Sequence, residues 1–229
     1  MHILNEPFQD LLSEEETESL LTDFYMSSFV RWQTDPVTFR SGLTSHVLVG
    51  GREDLTEHPF VLKKIGKLIA KAALQIAPTP SHMCLIGNPI VGNTLATAAS
   101  VVSGHIPFMV MRQVKKNHGA HKSWVDGSPY DYDHFVTIDN TITDGGSKFD
   151  MIERLVKDGF RIGKKEMSHL ILVDRGIGAI DKLRSLGHHA YALMDLPTIV
   201  TAFVERESSW SKDKLKTLLE ENSRNRLDP

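Results

Sequence analysis

Phe135-Val136-Thr137-Ile138-Asp139-Asn140-Thr141-Ile142-Thr143-Asp144-Gly145-Gly146-Ser147 begins as an apolar run, turns polar at Asp139, and passes into a stretch with Phe149, Ile152, Leu155 and Val156 at helical spacing. The pattern is strand, polar turn, helix. Thr141, Thr143 and Ser147 offer hydroxyls, while Gly145 and Gly146 let backbone N–H groups approach an anion at the positive end of the helix. Together these make a phosphate cradle. Asp139, at the end of the strand, can accept hydrogen bonds from sugar hydroxyls.

Outward from this stretch the same alternation repeats. Apolar runs at 83–86, 108–111, 170–174 and 191–194 are separated by helical patterns at 93–102, 147–157 and 178–186. Strands apolar on both faces and alternating with helices predict a parallel sheet covered on both sides, with ligands at the carboxyl ends of its strands. A helix over 196–203 and a charged helical tail over 211–219 follow. Upstream, Ser13 ahead of Glu14-Glu15-Glu16 reads as a capping box for a helix ending near Phe29. Val37, Thr38 and Phe39, then Val47, Leu48 and Val49, flank Ser41-Gly42 and predict two short strands around a turn. The period of Val61, Leu62, Ile65, Leu68, Ile69, Ala72 and Ala73 predicts a packed helix from Pro59 to Ile76, ended by Pro78 and Pro80.

The 229 residues carry a net charge of −3, so nothing global draws the chain to nucleic acid or anionic lipid, and phosphate binding must be local. A single cysteine, Cys84, in an apolar run excludes a disulfide framework and a thiolate zinc site. No apolar run approaches the length of a membrane span, and the first residues lack a signal-peptide pattern, so a cytoplasmic, full-length chain is expected. One α/β domain is expected, with N-terminal helices and a hood over about 1–80, an α/β core over about 81–204 and a C-terminal helical tail over 205–229. Competing motifs fail. Gly87-Asn88-Pro89-Ile90-Val91-Gly92-Asn93-Thr94 has P-loop spacing but Asn93 replaces the lysine, and His118 with His121, or His188 with His189, lacks a third metal ligand at useful spacing.

The stretch from Asp139 to Ser147 resembles the phosphoribosyl pyrophosphate (PRPP) signature of the type I phosphoribosyltransferase family, and three further segments resemble its orotate-using branch. Met111-Arg112-Gln113-Val114-Lys115-Lys116-Asn117-His118-Gly119 is similar to the start of that branch's catalytic loop. Phe39-Arg40-Ser41-Gly42 with Ser45 is similar to its Leu-Lys-Ser-Gly entry, and Val173-Asp174-Arg175 to its Asp-Arg strand end. In order and spacing the likeness runs from about residue 37 to residue 200.

The resemblance implies transfer of ribose 5-phosphate from PRPP to orotate, giving orotidine 5′-monophosphate and pyrophosphate, with Mg²⁺ carried by PRPP and no direct protein ligand to it. It places Lys116, His118, Asp139 and Asn140 in catalysis. Arg112, Gln113, Lys115, Thr141, Thr143, Asp144, Gly145, Gly146 and Ser147 would hold PRPP, and Arg40, Thr143 and Arg175 would hold orotate. It also implies a homodimer whose loop, continuing over 119–133, closes on the neighbouring site. The transition state is oxocarbenium-like, so cations on the leaving group and exclusion of water are what such a protein must supply. Three departures bear on activity. Asn140 stands where the family has a second acid, Gln113 where it has a lysine, and Arg40 where it has another. A carboxylate at 140 is therefore expected to raise turnover more than affinity. The alternatives are a phosphoribosyltransferase for another base and a catalytically reduced protein that binds PRPP or a nucleotide as a regulator.

Overall fold

The structure, a computed structural model, describes residues 11–51, 53–114, 132–157 and 167–227. Five strands form one parallel sheet: β3 (Met83–Gly87), β4 (Phe108–Val110), β5 (His134–Ile142), β6 (Met167–Asp174) and β7 (His189–Asp195), in the order β4-β3-β5-β6-β7. Every residue of β3 and β6 is buried, as expected of strands covered on both faces. Alternate side chains serve opposite layers. Met83, Leu85, Val136, Ile138, Leu170 and Leu172 enter the main core. Cys84, Ile86 and Phe135 face Met151 and Leu155 of α5 (Gly146–Lys157), and Ile171 faces Ile180 and Leu183 of α6 (Ala179–Ser185). Burial pushes the Cys84 thiol up to about 12, so it behaves as a small hydrophobe.

On the main-core side α3 (Pro59–Ile76) lies against α4 (Val91–Ser103). Their approach is close because Gly66 faces the Ala98 backbone, where an added Cβ would stand 2.9 Å from the carbonyl carbon. This helix, bounded as its periodicity predicts, packs into a layer of the core. α7 (Leu196–Arg206) covers the same side.

The hood is a hairpin. β1 (Val30–Thr38) and β2 (Thr44–Val49) pair antiparallel around Ser41-Gly42, where Gly42 has φ +83°. Its first strand begins seven residues before the expected Val37, and α1 (Glu14–Met26) stops short of Phe29. The cause is local. Ser27 caps the helix, Ser28 turns with φ +54°, and Phe29 swings back to stack on Phe24 at 4.7 Å between ring centroids. The capping box at Ser13 and Glu16 is present as read. A short helix, α2 (Glu53–Glu57), follows the hairpin, and its Asp54 accepts the Gly51 N–H and pairs with Arg31.

α8 (Lys212–Arg224) fastens the hairpin from the other end of the chain. The buried Glu221 carboxylate accepts hydrogen bonds from Ser45 Oγ at 2.8 Å and His46 N at 3.2 Å, and its other oxygen lies 2.5 Å from His46 Nδ1. Trp32 stacks on His46 and meets Trp210 edge-on. Gly66→Val should therefore force α3 and α4 apart and cost about 1–3 kcal/mol, read as a lower denaturant midpoint with the slope unchanged. An unchanged midpoint would contradict the close approach.

Candidate functional site at the carboxyl edge of the sheet

β5 ends in the turn that the sequence marks as a cradle. Gly145, with φ +81°, turns the chain into α5, and its carbonyl accepts from Lys148 N and Phe149 N to close the first helical turn. The Gly146 N–H does not point to open space. It donates to Asp144 Oδ1 at 3.1 Å, and Thr143 Oγ1 lies 3.4 Å from the same oxygen. The Asp144 carboxylate thus lies on one of the N–H groups expected to receive a phosphate. Thr141 Oγ1 is buried with no hydrogen-bond partner among the described residues.

Asp139 stands where expected, at the carboxyl edge, but with company that sequence reading missed. Its Oδ2 accepts from Asn88 Nδ2 at 2.6 Å and from Lys148 Nζ at 2.5 Å, and its Oδ1 accepts from Asn140 N at 2.8 Å. Lys148 is only 2% exposed, and its ammonium also donates to Thr141 O at 3.1 Å and Ser147 Oγ at 3.3 Å. The signal was present. Lys148, Met151 and Leu155 are the buried residues of α5, so a lysine opens the apolar stripe of that helix, while Val156, expected on it, is half exposed.

Asn140 is a donor. Its Nδ2 gives a 2.7 Å hydrogen bond to Gly50 O and so ties β5 to the end of the hairpin. A carboxylate there would face a carbonyl oxygen with no proton to give.

Two cavities open at this edge and share Pro89. One, about 340 Å³, has Asp139 and Asn140 on its wall with Arg31, Asp54, Gly51 and Ile90. The other, about 430 Å³, is lined by Arg40, Asn88, Gln113, Ser147, Asp150 and Arg154. A larger groove of about 560 Å³ between α7 and α8 is mainly apolar and lies apart from these groups. The edge is therefore where convergent polar groups meet concave space.

The loop residues divide. Arg112 and Gln113 leave β4 and are held by Arg154, which donates to Arg112 O at 2.6 Å and Gln113 O at 3.2 Å. Asn93 brackets Met111 with two bonds, to its carbonyl at 2.8 Å and from its N–H at 3.0 Å. Neither Asn93 nor Arg154 was singled out as a support. Lys115, Lys116 and His118 lie outside the described residues.

Arg175 follows β6 as predicted and lies buried against the hairpin. It is 3% exposed, donates from Nη2 to Val47 O at 2.7 Å, and lies 4.3 Å from the Phe39 ring centroid. Burial lowers its pKa to about 10, against the opposing pull of Glu221 and Asp174. Its carbonyl accepts from Asn222 Nδ2 at 2.7 Å, so α8 holds this turn as well as the hairpin. Arg40 is exposed and reaches Asp150 at 3.2 Å. Arg175 and Thr143 line neither cavity, whereas Arg40, Gln113 and Ser147 share one and Asp139 and Asn140 the other.

No family model matches the chain. It is 25% identical to uridine 5′-monophosphate synthase of Bos taurus over 187 residues, 80% of this chain and 37% of that one. It is 29% identical to orotate phosphoribosyltransferase of Methanosphaera stadtmanae over 143 residues, 62% of this chain and 74% of the relative. The chain spans about a third of the length of the uridine 5′-monophosphate synthases it matches. Among solved structures, UMP synthase of Leishmania donovani superposes with a TM-score of 0.72 at 20% identity, covering 93% of this chain and 43% of the other. Orotate phosphoribosyltransferase from Aeropyrum pernix gives 0.60 at 22%, covering 80% and 98%.

Two outcomes follow from these contacts. Asn140→Asp should lose the bond to Gly50 and set a carboxylate against its carbonyl, lowering stability by about 1–3 kcal/mol in denaturant unfolding. Unchanged stability would mean that the Asn140 bond contributes nothing. Burial, with repulsion from Asp195 and Asp181, pushes the Asp174 carboxyl up to about 6, against the Gly176 N–H that pulls it down. The native chain then holds a proton that the unfolded chain has already lost, so stability falls as pH rises across that window. Asp174→Asn should accordingly gain on the parent between about pH 4 and 7 and then level off, by at most about 3 kcal/mol. A difference that does not change with pH would remove the buried carboxylate as its cause.

Proposed function

We propose that this chain, which has the fold of the type I phosphoribosyltransferases, is an orotate phosphoribosyltransferase. It transfers the phosphoribosyl group of PRPP to orotate and releases pyrophosphate and orotidine 5′-monophosphate. One observation carries the reading: Asp139 lies among the last residues of the central strand, which runs to Ile142 and is followed by a Gly-Gly-Ser turn that opens a helix, and Asp139 and Ser147 line concave space at the carboxyl edge. That is the arrangement a sugar phosphate requires, with an acceptor for ribose hydroxyls and N–H groups at a helix start for the phosphate.

The chemistry divides among the residues present. As the bond from the ribosyl carbon to pyrophosphate lengthens, positive charge grows on the sugar and negative charge on the leaving group. Asp139, beside the sugar, is the acceptor for its hydroxyls. Arg112 and Gln113, with Lys115, Lys116 and His118 beyond them, face the pyrophosphate. Arg40, whose guanidinium is exposed at the mouth of its cavity, is placed to receive the orotate carboxylate, a task suited to a planar fork of donors. Arg175 supports the hairpin that roofs the base. A phosphate entering the cradle must displace the Asp144 carboxylate from the Gly146 N–H.

Mg²⁺ would arrive with PRPP. The strand end itself does not fit an added cation: the Asp139 carboxylate is already bonded to an ammonium, and Asn140 beside it carries no charge. In the working unit two chains pair, and the loop that carries Lys116 and His118 serves the neighbouring site. Among the described residues no helix is long and apolar enough to cross a membrane.

Asn140 and the Lys148 ammonium on Asp139 favour a second reading, because both remove negative charge beside the developing cation. In that reading the chain binds PRPP or a nucleotide as a regulator and turns over slowly. Incubation with PRPP, Mg²⁺ and a panel of bases, with pyrophosphate release as the readout, separates the readings. Release with orotate alone is expected. Release only with another base would reassign the acceptor, and PRPP binding without release from any base would make the chain a sensor.

A further inference from the structure

The ammonium of Lys148 is a charged group on a side chain held almost wholly out of solvent. It is buried behind the strand end, and its three protons have three acceptors: Asp139 Oδ2, Thr141 O and Ser147 Oγ. No proton is left to give a substrate, so Lys148 is a positioning residue. It does two things at once. It holds the strand-end acid and both ends of the cradle in one geometry, and it sets the charge of the ribose seat. Asp139 contributes one negative charge, Lys148 one positive, and Asn140 none, so the strand end is neutral overall.

Neutrality matters because the ligand is a polyanion. Two free carboxylates beside a phosphate and a pyrophosphate repel it, and a mobile divalent cation placed between them relieves the repulsion. Here a covalently attached cation already faces the strand-end carboxylate, and Asp54 on the same cavity wall is paired with Arg31. A divalent cation brought to the same oxygen would meet the ammonium 2.5 Å from it, and on the other side the Asn140 amide, which turns its nitrogen to Gly50 O.

We propose that Lys148 is the resident counter-cation of the ribose seat, so that PRPP binds this chain equally well with and without a divalent cation. The inference rests on the phosphoribosyltransferase reading and departs from the Mg²⁺ requirement that the resemblance implies. The same charge balance makes Lys148→Met cation-dependent, since Asp139 is then left uncompensated, and makes the double variant Lys148→Met/Asp139→Asn independent again.

Calorimetric titration of the full chain with PRPP, in excess EDTA and in millimolar MgCl₂, tests this, with orotidine 5′-monophosphate as a second ligand. The parent should bind PRPP with dissociation constants within about threefold of each other in the two buffers, and Lys148→Met should bind at least about tenfold more tightly with Mg²⁺ than without. A merely structural lysine would lower affinity equally in both buffers. If the parent binds orotidine 5′-monophosphate but gains about tenfold or more for PRPP from Mg²⁺, the inference is overturned while the proposed function stands. Binding of neither ligand in either buffer would overturn both. Removing one partner of a buried pair is costly, so Lys148→Met can fail to fold. The parent titration and the charge-free double variant then decide the matter.

Discussion

A buried carboxylate must be paired, and in this chain the pairing of Asp139 organises the edge of the sheet. The Asp139 oxygens draw in Asn88 from the loop after β3, the backbone N–H of Asn140, and the Lys148 ammonium from the first turn of α5. The loop after β3, the strand itself and the first turn of α5 are thereby held around one group. Breaking such a pair by removing one partner costs several kcal/mol, about 3–5 where it has been measured, because the other charge stays buried. The cradle takes its shape from the same contact, since Lys148 also holds Thr141 O and Ser147 Oγ.

A roof is needed over that edge, and it comes from both ends of the chain. The hairpin supplies the cover, Asn140 ties its end to β5, and Arg175 holds Val47 O from below. α8 then locks hairpin and turn together through Glu221 and Asn222. Reactions that develop a sugar cation need water kept away, and a roof pinned at several points limits access without closing the two cavities beneath it. Burial is also why Arg175 and Asp174 titrate away from their ordinary ranges, the guanidinium down to about 10 and the carboxyl up to about 6.

Charge distinguishes this edge from the pattern it resembles. Its strand end is neutral, and an acidic side chain, Asp144, rests on the cradle N–H of Gly146. Both features bear on how an anion would be received at this edge, since an ammonium already sits on the Asp139 carboxylate and the Asp144 carboxylate lies on an N–H that an anion would need. A fold shared with phosphoribosyltransferases thus carries its own electrostatics, and function lives in those particular side chains more than in the sheet that presents them.

Much of this could be read along the chain, because it depends on local periodicity. The five apolar runs became five parallel strands, the stripe from Val61 to Ala73 became a helix from Pro59 to Ile76, and Ser41-Gly42 became the hairpin turn. The strand-acid-turn order around Asp139 likewise marked the edge of the sheet as the place to look. Only the tertiary structure decided that Lys148 points inward, that Asn140 donates to Gly50, that Asp144 covers Gly146, and that Arg175 is roofed by Phe39. The physical reason is that a side chain's charge partner is chosen by packing between elements, as with Ser45 and Glu221, which lie 176 residues apart and touch. Periodicity tells which face of an element turns inward; it does not tell which polar atom waits there.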